Sequence, residues 1–150
     1  MQAIWRLREI SEEEAELCAG ERARYIDDPQ RRGSLRMKKF LVLYLVPAAV
    51  IEDWSKTDPD KRKAAEENMR REWKKWMSDH ATMITDTGAC GKTKRVSPGG
   101  SSDIKNDVML YSFVEAESHE AAAKSFEGHP HLQIPQSSIE IMEVRSVSGT

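Results

Sequence analysis

Cysteine is scarce in this chain, and a long apolar run is missing. The 2 cysteines, Cys18 and Cys90, have no metal-ligand spacing. No apolar segment with a cleavage site stands near residue 1, and the longest apolar run, residues 40–50, is about half of a membrane span. We therefore expect a cytoplasmic protein with no membrane partner. A Cys18–Cys90 disulfide is the less favoured alternative to two reduced thiols.

An excess of one charge is also missing. The 150 residues carry 23 Lys+Arg against 25 Asp+Glu, for a formal net charge of -2. This balance gives no basic surface for nucleic acid or an acidic membrane. The hydrophobic share of 39% and the charged share of 32% are typical of a globular protein, and the length is that of one domain.

The use of basic residues changes at Met37. Residues 1–36 contain seven arginines and no lysine, whereas lysine predominates afterwards. Ser11 begins a weak helical pattern, and "DDPQRRGSLR" has the composition of a linker. We interpret residues 1–36 as an appendage or linker, weakly helical, and residues 37–150 as the domain, with Met37 as a candidate true start. The alternative is that this helix docks on the domain and completes it.

Strand and helix patterns alternate after Met37. Strands are predicted in "KKFLVLYLV", "TMITDTGACGKTKRV", "DVMLYSFVEA" and "SSIEIMEVRSV", with "SPGGSSDIKND" as a turn. Helices are predicted in "TDPDKRKAAEENMRREWKKWMSDH" and "HEAAAKSFE". The order is βαββαβ, which predicts an α+β, ferredoxin-like fold: a four-stranded antiparallel sheet with two helices on one face.

The first long helix has clear start signals and an aromatic stripe. Thr57 or Asp58 stands at the N-cap, and Pro59 takes the first helical position. One face carries residues spaced by three or four: Ala65, Met69, Trp73, Trp76 and His80. We interpret the tryptophans first as core anchors, with ligand stacking as the alternative, and His80 as a residue that favours a helix C-terminus.

The first and third strands are apolar on both faces. Phe40 and Val42 alternate with Leu41 and Leu43, and the strand at residues 108–114 has the same character. Two helices cover only one face of the sheet, and a bare apolar face of this size is not tolerated on a monomer. The sequence therefore predicts a homodimer that packs sheet against sheet.

Two of the four histidines flank a proline in "FEGHPHLQIP". An imidazole pKa of about 6.5 suits acid–base chemistry near neutrality. Pro130 extends the backbone at His129, so alternation predicts that His129 and His131 point to opposite sides and that one of them, His129, enters a cleft. The alternative is that both bind backbone groups left unpaired by the helix end. The carboxylates considered as partners are Asp86, Asp107 and Glu140.

The remaining motifs exclude other chemistry. His119 is expected to be exposed, and no set of ligands for a metal is present because the chain has no His-Glu-x-x-His and no paired cysteines. The neighbouring glycines in "SPGG" match no phosphate-binding pattern.

Four segments in this order resemble a YCII-related domain protein of the dimeric α+β barrel superfamily. They are "MKKFLVLYLVP", "GKTKRVSPGG", "YSFVEAESHEAAAKSFEGHPHLQIP" and "SIEIMEVRSV", which cover roughly residues 37–147. The resemblance implies a dimer with a cleft between sheet and helices. Two departures separate the chain from that family: "DPDKRKAAEEN" has no histidine for a His-Asp dyad, and the Asp-Gly-Pro-Phe motif is absent.

The resemblance and the residues together predict a function in general terms. The first hypothesis is a small cofactor-independent isomerase, lyase or oxygenase that acts on a cyclic or aromatic organic acid. Its catalytic residues are His129 and His80, and its ligand-binding residues are Tyr44, Trp76, Tyr111 and His131. The alternative is a non-catalytic small-molecule-binding or stress-response dimer, and a third hypothesis is an interaction domain that uses residues 1–36.

Overall fold

A computed structural model describes residues 36–147. The strands are β1 (Lys38–Leu45), β2 (Ile84–Ala89), β3 (Thr93–Ser97), β4 (Gly100–Ile104), β5 (Val108–Ala116) and β6 (Ser138–Glu143). The helices are α1 (Ala48–Ser55), α2 (Pro59–Asp79) and α3 (His119–Ser125), followed by a 3₁₀ turn (Pro130–Gln133). The predictions for residues 1–35, including the appendage and Cys18, lie outside the described residues.

Four strands form one antiparallel sheet in the order β2-β5-β1-β6, and β3 and β4 form a separate hairpin. The α+β class and the four-stranded antiparallel sheet are confirmed. The sheet order is broadly compatible with a ferredoxin-like fold. The simple βαββαβ order with two helices is wrong in detail, because the chain adds helix α1 and the β3–β4 hairpin.

The two faces of β1 have different surroundings. Phe40, Val42 and Tyr44 are 0% exposed and lie on the face that the helices cover. Leu41, Leu43 and Leu45 alternate with them and are half-buried on the opposite face. Because successive side chains of a strand point to opposite faces, the core lies between the sheet and helices α2 and α3. The buried side chains of Trp76, Ala122 and Phe126 complete this core from the helical side.

Helix α2 begins where the sequence predicts. The Asp58 side chain accepts hydrogen bonds from the backbone N–H groups of Asp60 and Lys61, and Pro59 takes the first turn. Trp76 is buried and Met69 and Trp73 are half-buried, but Ala65 is exposed. The apolar stripe therefore begins at Met69, because α1 contacts the preceding turns through polar groups such as the Trp54 Nε1–H bond to Glu66.

Helix α3 also has the predicted boundaries. The Ser118 hydroxyl accepts a hydrogen bond from Ala121 N–H, and Gly128 follows the helix with a φ of 72°. His119 is exposed, as expected, and its Nε2–H donates to the Ile141 carbonyl at 2.7 Å. Within residues 36–147, no helix is long and apolar enough to cross a bilayer.

Candidate functional site

Aromatic rings and histidines from three parts of the chain meet between the sheet and α2. Strand β1 contributes a tyrosine, helix α2 and its C-cap two tryptophans and a histidine, and the segment after α3 a phenylalanine and two histidines. We call these seven residues the aromatic–histidine cluster: Tyr44, Trp73, Trp76, His80, Phe126, His129 and His131. The spacing of three and four residues on α2 is what turns Trp73, Trp76 and His80 to one side.

His129 lies at the centre of the cluster. Its ring centroid is 4.3 Å from that of Trp76 and 4.6 Å from that of Trp73, both in edge-on geometry. The Tyr44 ring lies at 5.3 Å, and the Phe126 ring stacks at 5.8 Å. Because four aromatic rings surround it, the imidazole is almost entirely withdrawn from water, with 1% of the residue exposed.

The prediction that His129 and His131 point to opposite sides is wrong. Each is 1% exposed, and the Tyr44 ring lies 5.3 Å from His129 and 5.5 Å from His131. The physical reason is that residues 130–133 form a 3₁₀ turn and not an extended strand entry, so two-residue alternation does not apply. Pro130 begins this turn, at a position where its missing N–H costs nothing.

The two nitrogens of His129 have different surroundings. Nδ1 accepts a hydrogen bond from His131 N–H at 3.0 Å, so the side chain caps the 3₁₀ turn. Nε2 is buried and has no hydrogen-bond partner in the described part of the chain. Burial, together with the nearby His131 and His80, lowers the pKa of His129 to about 3. The ring is therefore neutral near pH 7 and carries its proton on Nε2.

His131 fixes the turn to the sheet. Its Nε2–H donates to the Leu45 carbonyl at 3.0 Å, and its own carbonyl accepts from the Ser137 hydroxyl at 2.9 Å. Burial lowers the pKa of His131 as well, so this histidine is also neutral near pH 7. Both histidines thus bind backbone groups, but neither group is one that the end of α3 leaves unpaired: one is the N–H of His131 in the 3₁₀ turn and the other is the carbonyl of Leu45 in β1.

His80 is the most accessible of the three histidines in the cluster. Its ring stacks on Trp76 with centroids 4.1 Å apart and an angle of 17° between the planes. Nδ1–H donates to the Trp76 carbonyl at 2.8 Å, which leaves the lone pair on Nε2. His80 is half-buried and thus keeps a nitrogen that can accept a proton or a hydrogen bond.

A chain of hydroxyl groups connects Tyr44 to strand β2. Thr87 Oγ1–H donates to the Tyr111 carbonyl at 3.0 Å, so Thr87 accepts from Ser112 Oγ–H at 3.0 Å. With the Ser112 proton used in this way, the Tyr44 hydroxyl must donate to Ser112 Oγ at 3.1 Å. Burial raises the pKa of Tyr44 to about 12, which keeps the phenol protonated as this donor.

Removal of the Ser112 hydroxyl, the acceptor, is expected to lower the free energy of unfolding more than removal of the Tyr44 hydroxyl, the donor. Ser112→Ala leaves the buried Tyr44 hydroxyl unpaired, which lowers the free energy of unfolding by about 1–3 kcal/mol. In Tyr44→Phe the buried polar group itself is gone, so the loss is smaller. The double variant is expected to be no less stable than Ser112→Ala, and urea unfolding of the three variants measures the order. If the double variant lost as much free energy of unfolding as the two single variants together, the two hydroxyl groups would not be coupled and the account would be contradicted.

A shallow groove of about 280 Å³ lies next to the cluster. Helix α2 lines it with Glu72, Lys75, Trp76 and Asp79, and the segment after α3 lines it with Gly128, Pro130 and Gln133. The Lys75 ammonium pairs with Asp79 at 2.6 Å, and Gln133 Nε2–H donates to Glu72 at 2.5 Å across the groove. The groove thus combines one aromatic wall with a charged, polar rim, and its size suits a single ring with small substituents.

The sheet separates Tyr111 from the cluster. Tyr111 pairs with Leu43 and Gly88, and its ring lies so close over Gly88 that a Cβ there would stand 2.7 Å from the Tyr111 Cε1 atom. The nearby Asp86 carboxylate raises the pKa of Tyr111. The structure therefore brings together Tyr44, Trp76, His80, His129 and His131, but it does not bring Tyr111 to them.

The carboxylates considered as histidine partners are elsewhere. Asp86 lies beside Tyr111, Glu140 pairs with Leu43 on the same face, and Asp107 accepts a backbone hydrogen bond from Val46 through its carbonyl. Among the hydrogen bonds of residues 36–147, none joins a cluster histidine to a carboxylate. In the same stretch, no three histidine, cysteine, aspartate or glutamate residues are grouped so as to hold a metal ion.

Sequence reasoning missed three participants. Phe126 stands two residues before Gly128, and its position at the end of an apolar helix face was the available signal. Ser112 and Thr87 left no such signal, because their meeting depends on the register between β2 and β5.

Comparisons with known proteins do not add to this picture. A scan of the sequence against protein-family models gave no match, and a search of curated proteins gave none either.

Proposed function

We propose that the chain is a homodimeric protein that binds a small planar organic molecule in the groove beside the aromatic–histidine cluster. The observation that carries this proposal is that one groove is lined by Trp76, which contacts the buried His129 ring, and by Gly128 and Pro130, the residues before and after His129. Aromatic walls with a few polar groups are typical of small-molecule sites. The four segments that resemble YCII-related proteins support a ferredoxin-like domain of that family, and the two cysteines without metal-ligand spacing support a cytoplasmic protein.

Binding is favoured over turnover because the buried histidines are poor acids and bases near neutrality. A pKa of about 3 leaves His129 neutral and weakly basic at pH 7. A general base of this kind is usually oriented by a carboxylate, and the described hydrogen bonds of the three histidines go to backbone groups and to one another. The neutral imidazole is better suited to donate a hydrogen bond to a ligand.

A cofactor-independent isomerase, lyase or oxygenase acting on a cyclic or aromatic organic acid is the second candidate. His80 favours it, because the bond from Nδ1–H to the Trp76 carbonyl leaves a lone pair on Nε2 of this half-buried ring. In this case the ligand found for the groove would be converted, and His80→Asn would abolish its conversion while binding remained.

A homodimer is proposed because one face of the sheet is apolar and no described element covers it. We call this surface the open face; its apolar members are Leu41, Leu43, Leu45, Tyr111, Phe113 and Met142. Charged groups lie around this centre, with Lys39 above the Phe113 ring at 4.6 Å and Glu140 beside Leu43. An apolar centre with a charged rim is the usual anatomy of a protein interface, and two copies of one face bury each other about a two-fold axis.

Ligand binding at the groove is tested by NMR titration of the full chain with a library of cyclic and aromatic acids and amides. We expect at least one compound to shift the amide signals of Trp76, Gly128 and Gln133, with little effect on the hairpin residue Val96. The library compound that binds is then incubated with the protein and its mass is followed for conversion. No shifts at the groove, or shifts confined to the hairpin or the open face, would contradict the proposal.

A further inference from the structure

The side chain of His129 caps the 3₁₀ turn through one nitrogen only. Nδ1 accepts the hydrogen bond of His131 N–H at 3.0 Å and therefore carries no proton in the neutral ring. Asn, Asp, Ser and Thr supply the same kind of acceptor at caps and turns. Ser and Thr carry no second polar atom, and Asn and Asp keep theirs close to the backbone, so none of them would place a polar atom deep among the rings and the cap alone does not account for an imidazole here.

The second nitrogen of His129 is a buried donor that no described group satisfies. Nε2 has no hydrogen-bond partner within residues 36–147, although the residue is only 1% exposed. Buried polar atoms in folded proteins nearly always have a partner, so such an exception requires a reason. An unpaired N–H in a site rich in aromatic rings is a typical recognition group for a ligand oxygen.

The groove and the His129 ring share Trp76 as a neighbour. Trp76 lines the groove and contacts the His129 ring at 4.3 Å between centroids, and Gly128 and Pro130 line the groove on either side of His129 in the chain. The edge-on geometry of the Trp73 and Trp76 rings allows at most a weak N–H contact with an aromatic face. A ligand oxygen would form a stronger hydrogen bond than either ring.

The Pro130–Gln133 turn, which follows His129, is held by different contacts at its two ends. His131, on the buried side, donates to the Leu45 carbonyl. Gln133, on the exposed side, donates to Glu72 of α2, and this bond crosses the groove.

We propose that the groove takes a planar ring that carries a carbonyl or carboxylate oxygen, and that this oxygen accepts a hydrogen bond from His129 Nε2–H after Trp76 or the Pro130–Gln133 turn moves. The inference rests on the proposed binding function and specifies its ligand class. His129 is thus a ligand-recognition residue, and the neutral state of its ring is what makes it a donor.

The experiment uses three probes of similar shape: benzamide, benzoate and toluene. The first two carry the oxygen acceptor and the third does not. Isothermal titration of the full chain is expected to give a dissociation constant for benzamide or benzoate at least about tenfold lower than that for toluene, the ratio typical of one hydrogen bond. In His129→Phe, which keeps a ring but has no donor, the advantage of the acceptor probes is expected to disappear.

His129→Asn is the control for a general effect of the substitution on folding. Its side-chain oxygen keeps the cap on His131 N–H, whereas it has no donor at the position of Nε2, so it is expected to lose the same advantage. His119→Asn changes an exposed histidine outside the cluster and should bind all three probes as the unmodified chain does. Failure of all three probes, or acceptor probes that bind His129→Phe and His129→Asn undiminished, would overturn the ligand class. A library compound that still binds at the groove would then leave the binding function itself in place.

Discussion

Lowering the pH from 7 to 5 is expected to reduce the free energy of unfolding by at least about 2 kcal/mol. The pKa of His129 falls to about 3 in the folded protein, whereas it is about 6.5 in the unfolded chain. Below pH 6.5 the unfolded chain therefore binds a proton that the folded chain does not. Stability is lost progressively as the pH falls from about 6.5 towards 3. Burial lowers the pKa of His131 too, which adds to the loss.

Urea unfolding at fixed protein concentration between pH 7 and 5 measures this effect, above the range in which most carboxylates titrate. His129→Asn keeps the cap and cannot titrate, so its loss over this range should be smaller by about 2 kcal/mol. His119→Asn, which alters an exposed histidine, should keep the full loss. Equal losses in the unmodified chain and in His129→Asn would mean that His129 is not held neutral by burial.

Leu43→Glu is expected to convert a dimer into a monomer. Leu43 lies near the centre of the open face, between Tyr111 and Glu140 on the neighbouring strands. In the dimer the new carboxylate would be buried without a partner, which costs about 3 kcal/mol or more and raises the dissociation constant over about 100-fold. In a monomer the same position is half-buried and faces water, so the fold is expected to survive.

Sedimentation equilibrium of the full chain measures the change. The unmodified chain is expected to have twice the chain mass of 17.1 kDa, and Leu43→Glu the single mass. Val96→Glu is the matched control, because Val96 is an apolar side chain, 81% exposed on the hairpin and outside the open face. A monomeric unmodified chain would contradict the dimer.

The regular elements could be predicted because their signals are local. Apolar runs rich in β-branched and aromatic residues mark β1 and β5, and Asp58, Pro59 and Ser118 mark the helix starts. Helix α1 was missed because it is only eight residues long. It follows Pro47 directly, and a segment this short was compatible with a loop. The hairpin was missed because the sequence pattern joins β3 to β2 in one polar strand region, and because β4 lies in a stretch rich in Gly, Ser and Asp, which indicate a turn.

The sequence indicated most residues of the candidate site, but not how these residues are arranged. Trp76 and His80 lie together because helical spacing is regular. His129 and His131 were misplaced because a short 3₁₀ turn follows a proline where an extended segment was expected. Tyr111 was grouped with Tyr44 although the register of β1 and β5 pairs Tyr44 with Leu110 and so puts Tyr111 on the other face. Such pairing depends on contacts between distant segments, which no local pattern encodes.

The most direct test of the account is the protonation of the His129 ring in the full chain, read by long-range ¹H–¹⁵N NMR at pH 7. The structure predicts a neutral imidazole with its proton on Nε2 and the lone pair on Nδ1, where His131 N–H donates. The ring should remain neutral at pH 5, because burial lowers its pKa to about 3. A proton on Nδ1, or a positively charged ring at pH 7, would contradict the account of His129 as a buried hydrogen-bond donor.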